Sequence, residues 1–392
     1  MPIKSSFSEA CIGKGKTSLG VTGKVLGVCG GILCEDSSLG FSYQIKTFFF
    51  GGYYYLLILK LVGSVNKIRL YSSTDGTNWS FQNDIVDIGA ASSAADFSIW
   101  FDGASVYLVY LDDAGVINNL IIMKGTPLAG NIAWGAGHTI ENTLQKYRPT
   151  VCKAPNGTLY VSFEVLVLGR WHSYVTKSTD DGVTWDAVTD VAGGGFVNSG
   201  RPLILAFSDS TAYLIYYKET SWPVAENKFV GRTWNGTQGG GLGVEEDIKV
   251  YTSSLDVDYW CGRVDTSDII HFSWKSSVDT VMIHRERSGG VWQPENTVSS
   301  TAGSSPIIII NTTNLILYVF QGMTIIKYTY NGATNLWDTG TTVKTDEFFD
   351  SAESQMAISN DRVEENKAVY AYMVNCTPGS ADYHTRTYAT TV

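Results

Sequence analysis

Two arginines that each precede a proline are the residues in this chain best suited to bind an anion. They occur in Tyr147-Arg148-Pro149 and Arg201-Pro202, near the starts of two strand-like segments. A guanidinium group presents a planar fork of donors that matches the two oxygens of a carboxylate. The repeated position equally fits a structural role, in which each arginine pairs with a neighbouring repeat. The sequence leaves both interpretations open.

Further polar and aromatic residues fall in loops that we predict to surround these arginines. Arginines bind carboxylates, acidic side chains bind sugar hydroxyls, and aromatic rings pack on the apolar faces of sugars. This combination indicates a glycan ligand, and an acidic one. The residues concerned are Asp96, Arg170, Trp171, His172, Lys218, Glu219, Trp222 and Asp258.

One cleavage chemistry that fits these residues is that of a polysaccharide lyase acting on a uronate. A lyase needs a base that removes the proton next to the carboxylate, and Tyr147 and His172 are the candidates. It also needs a cation that neutralises the carboxylate while the proton leaves, and Arg148 or Arg201 would supply it.

A glycoside hydrolase is the second enzyme class that the carboxylates would allow. Such an enzyme needs two carboxylates, ~5 Å apart for retention of configuration and ~6.5–9.5 Å apart for inversion. Asp96 and Asp258, which precede two different strands, are the nearest candidates. A non-catalytic adhesin or structural protein would use the same surface without catalysis.

The composition limits the partners that the protein can have. The chain has 392 residues and a formal net charge of −10, and it lacks the clustered basic residues that bind nucleic-acid phosphates. No apolar run is long enough to span a bilayer. The six cysteines have no metal-ligand spacing, and we expect Cys152 and Cys261 to be buried thiols. We therefore predict no nucleic-acid partner, no membrane insertion, no metal and no cofactor.

The elements that must position these residues repeat along the chain. A turn followed by a strand of large apolar and aromatic residues recurs seven times, at steps of 53, 53, 53, 58, 46 and 53 residues. A period near 50 residues is typical of propellers, in which each repeat buries its faces against its neighbours. The pattern predicts an all-β, seven-bladed β-propeller. The strand centres are Tyr54, Tyr107, Tyr160, Tyr213, His271, Leu317 and Tyr370.

The repeat predicts a single propeller domain over residues 1–392, with both chain ends in its last blade. The final unit stops one strand short, and the segment around Val21–Val28 is strand-like. Pairing that segment with Tyr383–Thr391 would close the ring and remove an exposed sheet edge. The predicted blades are about 40–90, 94–142, 146–193, 199–250, 254–300, 303–347 and 352–392.

One turn motif is more specific than the repeat itself. Ser178-Thr179-Asp180-Asp181-Gly182-Val183-Thr184-Trp185 has the form Ser-x-Asp-x-Gly-x-x-Trp. The serine and aspartate can bond their own turn's amides, the glycine accepts a positive φ, and the tryptophan packs between sheets. A variant in the first repeat contains Asp75, Gly76 and Trp79, with Thr74 at the position of the motif's aspartate.

These motifs resemble the Asp-box, or BNR repeat, of sialidase-like propellers. The resemblance covers the whole chain in repeat period, and the first and third repeats in motif. It implies that Ser178, Asp180, Gly182 and Trp185 are structural and lie on the face opposite the binding site. Sialidases proper also have an early Phe/Tyr-Arg-Ile-Pro motif and three arginines, whereas Tyr147-Arg148-Pro149 lacks the isoleucine and lies in the third repeat. We therefore do not expect a sialidase proper.

The location of the protein is predicted from its first residues. The apolar stretch Val25 to Cys34 is followed by Glu35-Asp36 rather than by a small-residue cleavage pattern, which argues against a secretory signal peptide. A propeller without such a signal fits a virion- or tail-associated adhesin that reaches the exterior by lysis. We expect an extracellular or virion-surface location, and assembly into a larger particle would follow from it.

Overall fold

The computed structural model describes a chain of β-strands joined by turns. It covers residues 34–35, 37–38, 41–89, 96–112, 117–191, 197–220, 226–237, 241–251, 259–275, 281–299, 304–310, 315–321, 324–345, 356–357, 367–375 and 383–391. Within these ranges there is no α-helix, and hence no helix long and apolar enough to cross a membrane.

The strands of the described residues follow one another along the chain in this order: β1 (Cys34–Glu35), β2 (Ser37–Ser38), β3 (Thr47–Phe50), β4 (Tyr53–Val62), β5 (Val65–Ser73), β6 (Ser80–Gly89), β7 (Phe97–Phe101), β8 (Val106–Asp112), β9 (Asn119–Pro127), β10 (Ile132–Glu141), β11 (Lys146–Lys153), β12 (Leu159–Val167), β13 (Arg170–Ser178), β14 (Thr189–Asp190), β15 (Val197–Ala206), β16 (Ala212–Thr220), β17 (Glu226–Trp234), β18 (Glu246–Tyr251), β19 (Tyr259–Val264), β20 (Ile270–Lys275), β21 (Met282–Ser288), β22 (Val291–Trp292), β23 (Asn296–Ser299), β24 (Ser304–Ile310), β25 (Leu315–Gln321), β26 (Thr324–Asn331), β27 (Leu336–Trp337), β28 (Thr341–Thr345), β29 (Met356–Ala357), β30 (Lys367–Asn375) and β31 (Tyr383–Thr391).

These strands form seven antiparallel sheets among the described residues. In chain order, sheet 1 contains β2–β6, sheet 2 β7–β10, sheet 3 β11–β14, sheet 4 β15–β18, sheet 5 β19–β23 and sheet 6 β24–β28. Sheet 7 has the order β1-β31-β30-β29, so it combines the two ends of the described chain. The all-β prediction is confirmed.

The central strands of sheets 1 to 6 are buried on both faces. In β4 the consecutive residues Leu56, Leu57 and Ile58 are all fully buried, although alternate side chains point to opposite faces of a strand. Each of these six sheets must therefore be covered on both sides, as in a stack of sheets. Cys152 and Cys261 are buried thiols on β11 and β19, as predicted.

The N-terminal part of the chain does pair with the C-terminal sheet, but at an unforeseen position. Cys34 pairs with Thr385 and Glu35 with His384, while Ser37 pairs with Lys60 of sheet 1. The consecutive strands β1 and β2 thus belong to sheet 7 and sheet 1, respectively. The predicted partner segment, Val21–Val28, lies outside the described residues.

A short irregular segment of residues 41–46 lies between β2 and β3, and we call it the 41–46 segment. It is non-strand, and its residues 42–46 are buried, including the polar Gln44 and Lys46. Six residues span at most ~20 Å, yet this segment contacts sheets 1, 2, 3 and 5. Its hydrogen bonds are Leu57 N to Lys46 O (2.9 Å), Ile99 N to Ile45 O (2.9 Å), Gln44 Nε2 to Pro149 O (3.1 Å) and Ser42 Oγ to Trp260 O (2.7 Å).

A buried pair of histidines connects sheets 5 and 6. His284 is fully buried, its ring lies 5.6 Å from that of His271, and it packs against Tyr330 and Trp337. Burial, and secondarily the nearby His271, hold the pKa of His284 well below its usual value. His284 is therefore neutral in the folded protein at pH values where an unfolded histidine takes up a proton.

This difference predicts a loss of stability in mild acid. Below pH ~6.5 the unfolded chain gains a proton at His284 that the folded chain does not, so the free energy of unfolding falls by up to about 1.4 kcal/mol per pH unit. Denaturant titrations from pH 7.5 to 5 should show a shallower pH slope in His284→Gln. The control is His138→Gln, which changes a partly exposed histidine. An equal slope in the wild type and His284→Gln would contradict the assignment.

Candidate functional site

Matching β-bulges in β11 and β15 place the two arginines. The ladder between β11 and β12 is interrupted between Tyr147 and Thr150, and that between β15 and β16 between Gly200 and Leu203. Arg148 has a φ of 51° and Arg201 a φ of 57°. Such a backbone costs a non-glycine residue of order 1–3 kcal/mol, and bulges commonly re-aim side chains next to active sites.

A single buried carboxylate ties the two bulges together. The Glu164 side chain, on β12, is only 1% exposed; Oε2 pairs with Arg148 Nη1, and Oε1 accepts a hydrogen bond from the backbone N–H of Arg201. A Cβ at Gly200 would lie 2.9 Å from Glu164 Oε1, so glycine is what lets the carboxylate approach. The Arg148 side chain and the Arg201 backbone thus bind the same carboxylate.

The aromatic ring of Phe41 lies beside both guanidinium groups. The Cζ atoms of Arg148 and Arg201 are 5.4 and 5.5 Å from its centroid, within the range of a cation–π contact. Phe41 stacks on Tyr43 at 5.4 Å, and Tyr43 stacks on Trp260 of sheet 5 at 5.1 Å. The 41–46 segment therefore supplies the aromatic ring that contacts both arginines.

Two aromatic residues of sheet 3 also lie close to Arg148. Its Cζ lies 5.3 Å from the Trp171 ring, and the rings of Tyr147 and Trp171 meet edge to face at 4.8 Å. Trp171 is held by Asn198, whose Oδ1 accepts from its backbone N–H at 2.7 Å and whose Nδ2 donates to Glu219 at 3.1 Å. We call Phe41, Tyr147, Arg148, Glu164, Trp171 and Arg201 the arginine cluster.

Charges and burial set the protonation states in the cluster. Burial raises the pKa of Tyr147, the negative charge of Asp96 raises it further, and Arg148 partly opposes both. Burial alone would lower the pKa of Arg148, but Glu164 and neighbouring acidic groups raise it overall. Burial raises the pKa of the Glu164 carboxyl against the opposing charge of Arg148. Tyr147 is therefore a protonated phenol, and Arg148 a permanent cation, at neutral pH.

Other candidate residues are directed elsewhere. His172 is buried, with Nδ1 3.1 Å from Asp190 on β14, and it faces the side of β13 opposite Trp171. Lys218 binds Glu245 at 2.6 Å. Arg170 is partly exposed near the tip of the β12–β13 hairpin. Trp222 and Asp258 lie outside the described residues.

The turn that carries the Ser-x-Asp-x-Gly-x-x-Trp motif lies at the far end of β13 from Trp171. Ser178 Oγ donates to Asp180 at 2.8 Å and accepts from the Gly182 amide at 2.9 Å, and Trp185 Nε1 donates to Gly182 O at 3.1 Å. Along β13, seven steps of ~3.3 Å separate Trp171 from Ser178, roughly 23 Å. The motif residues therefore staple a turn and do not contribute to the arginine cluster.

The turn in sheet 1 has the same bonds in a shorter form. Ser73 Oγ donates to Asp75 at 2.9 Å and accepts from the Gly76 amide at 2.8 Å, and Trp79 Nε1 donates to Gly76 O at 3.1 Å. The expectation that Thr74 occupies the aspartate position is wrong. Asp75 fills it, because this turn lacks the residue that separates aspartate from glycine in sheet 3.

Sequence reasoning missed two members of the cluster, Phe41 and Glu164. Glu164 lies within an apolar strand, where a glutamate is rarely buried unless it is paired, and this was the signal that could have identified it. Phe41 precedes β3 in an irregular segment, and its contacts with Arg148 and Arg201 are with residues more than 100 positions away. No local pattern could have revealed it.

Comparison with known proteins adds a shared fold. No protein-family model and no curated protein matches the sequence. Among solved structures, an ulvan lyase from a new polysaccharide lyase family has a TM-score of 0.62 at 12% identity, covering 90% of this chain and 94% of that one. Polysaccharide lyase Uly1 has a TM-score of 0.56 at 10% identity, covering 88% and 89%. The Hadza microbial sialidase Hz136 has a TM-score of 0.51 at 10% identity, covering 86% and 76%. At such identities the likeness shows the fold alone.

Proposed function

We propose that the chain is a seven-bladed β-propeller of the sialidase-like Asp-box superfamily, with one sheet per blade. The 41–46 segment supports this arrangement, because a stretch of ~20 Å can reach sheets 1, 2, 3 and 5 only if those sheets converge on a common centre. The two stapled turns and the β1–β31 pairing fit the same scheme. The domain then spans residues 1–392, with its blades at the boundaries that the repeat predicts.

We further propose that the arginine cluster binds an anionic polysaccharide. The observation that carries this function is the pair of bulges that turn Arg148 and Arg201 over one aromatic ring. A guanidinium has five N–H donors, and the Arg148 contact with Glu164 uses Nη1. Two strained backbones in adjacent strands are hard to explain by packing alone, whereas they suit a carboxylate or sulfate held between two cations.

Cleavage by β-elimination is the second candidate function. Tyr147 and the Asp96 carboxylate, beside Arg148, favour it. In this reaction a base takes the C5 proton of a uronate, the C4–C5 double bond forms as the C4–O bond breaks, and the leaving oxygen receives a proton. Asp96 would act as the base and the protonated Tyr147 as the acid, while the arginines stabilise the charge that develops on the carboxylate. A related fold has been solved with -[GlcA(1-4)Rha3S]- bound, which fits an acidic polymer.

The ligand implies a place of action. Anionic polysaccharides coat cell surfaces and matrices, so we propose an extracellular or virion-surface location, with assembly into a larger particle as the corresponding context. A non-catalytic adhesin would use the same cluster for attachment.

A panel of uronate-containing, sulfated and neutral polysaccharides tests the proposal. Binding is measured on an array, and each polymer is then incubated with the protein and assayed for new reducing ends and for the ultraviolet absorbance of an unsaturated uronate. Binding restricted to acidic polymers supports the proposed function. Both product signals indicate a lyase, reducing ends alone a hydrolase, and binding without product an adhesin. No binding, or binding to neutral polymers alone, would refute it.

Replacing Tyr147 by phenylalanine separates cleavage from binding. The variant keeps the ring that packs on Trp171 but loses the proton donor, so elimination should slow by roughly 10²–10⁴-fold while affinity changes little. Product formation is followed at saturating polymer, and affinity is measured on the array. Unchanged turnover in Tyr147→Phe would remove Tyr147 from the reaction.

A further inference from the structure

A leucine at the tip of the β12–β13 hairpin combines two unfavourable features. Leu168 is 99% exposed, and its φ is 49°. Val167 pairs with Arg170, so Leu168 and Gly169 form a two-residue loop in which both residues have positive φ. Such loops strongly favour asparagine or aspartate followed by glycine. A leucine here gains nothing from burial and strains its own backbone.

The hairpin tip extends past the end of β11 that carries Tyr147 and Arg148. Lys146, the first residue of β11, is level with Val165, so the hairpin continues beyond the end of β11 for about three residues, or ~10 Å. Leu166 pairs directly with Trp171 and therefore shares its face of the sheet. Leu166 is itself 38% exposed. Leu166 and Trp171 therefore form an apolar surface on one face of the hairpin, next to Arg148.

We propose that Leu166 and Leu168 form an apolar contact for the polysaccharide, against the C–H face of the sugar unit next to the acidic unit. The contact rests on the proposed function, because it assumes that the acidic unit is held at Arg148 and Arg201. It accounts for both features of Leu168: the exposed side chain is buried when the polymer binds, and the strained loop holds it at the rim. The tip then selects polymers in which an apolar sugar face neighbours the anionic group.

Leu168→Asn tests this contact, because the substitution should weaken binding without lowering stability. Asparagine suits the loop conformation, so the melting temperature should stay equal or rise. The dissociation constant for the acidic polymer that binds the wild type should increase about tenfold, the equivalent of losing one partly buried leucine side chain. Leu168→Gly relieves the same strain and should weaken binding equally.

The matched control is Leu336→Asn, at an exposed leucine that begins β27. It should leave affinity unchanged. If the wild type binds and both Leu168 variants bind equally well, the contact is refuted while the proposed function stands. If the wild type binds no acidic polymer, the proposed function fails and the contact fails with it.

Discussion

Replacing Arg201 by alanine is expected to weaken binding of an acidic polysaccharide by about 10- to 100-fold, with less loss of stability than Arg148→Ala causes. A charge-assisted hydrogen bond to a ligand is worth about 1.5–3 kcal/mol, which gives this range. The hydrogen bond from Arg201 to Glu164 comes from the backbone N–H and survives the substitution. Affinity is measured by titration with polymer, and stability by thermal melting.

Two further variants sharpen this test. Arg201→Gly also removes the charge but accepts the φ of 57° without strain, so it should lose the same affinity with a higher melting temperature than Arg201→Ala. Arg232→Ala removes an arginine of the same sheet that faces Glu245 and should bind normally. Equal affinity in the wild type and both Arg201 variants would show that the second bulge has no part in binding.

The fold class could be predicted because the signals for the strands and turns are local. Gly51-Gly52 and Asn156-Gly157 lie in tight hairpin turns, with φ values of 59° and 83° for the first pair and 93° for Gly157. Such turns demand particular residue types, and the apolar strands between them must be buried. The 41–46 segment has neither signal. Its bond from Ser42 to Trp260 joins residues 218 positions apart, so only the assembled sheets define it.

The candidate site was predictable in its chemistry but not in its geometry. Arg148, Arg201, Tyr147 and Trp171 do meet, because the repeat places the starts of neighbouring inner strands at one end of the sheets. The positive φ of both arginines contradicts local preference, since residues before proline favour extended backbone. His172 was placed beside the arginines from its loop position, but strand alternation turns it towards Asp190.

The structural interpretation of the arginines holds for the side chain of Arg148. Arg148 makes an ion pair with a carboxylate that is almost fully buried, whereas the bond that Arg201 gives to the same carboxylate is made by its backbone. Arg148 therefore has a structural partner as well as a place in the cluster. A substitution at Arg148 changes stability and binding together, and its effects must be separated by a second substitution.

Arg148→Ala should lower the free energy of unfolding by about 3 kcal/mol and also abolish binding. The loss of stability arises because Glu164 is left buried without its guanidinium partner. Adding Glu164→Gln removes the orphaned charge, so the double variant should regain part of that stability without regaining affinity. Denaturant titration measures the first quantity, and polymer titration the second.

The pH dependence of Arg148→Ala provides an independent check of the same pairing. Burial raises the pKa of Glu164, and removing Arg148 takes away the charge that opposed this shift. The folded variant then binds a proton that the unfolded chain, with a glutamate pKa near ~4.3, does not. Its stability should therefore rise as the pH falls from 8 towards 5, so that the difference from the wild type shrinks, and it should be lost again as the pH rises through the raised pKa. In the double variant with Glu164→Gln this dependence should disappear. If the stability difference between Arg148→Ala and the wild type is the same at pH 5 and pH 8, the unpaired charge of Glu164 is not the cause of the lost stability.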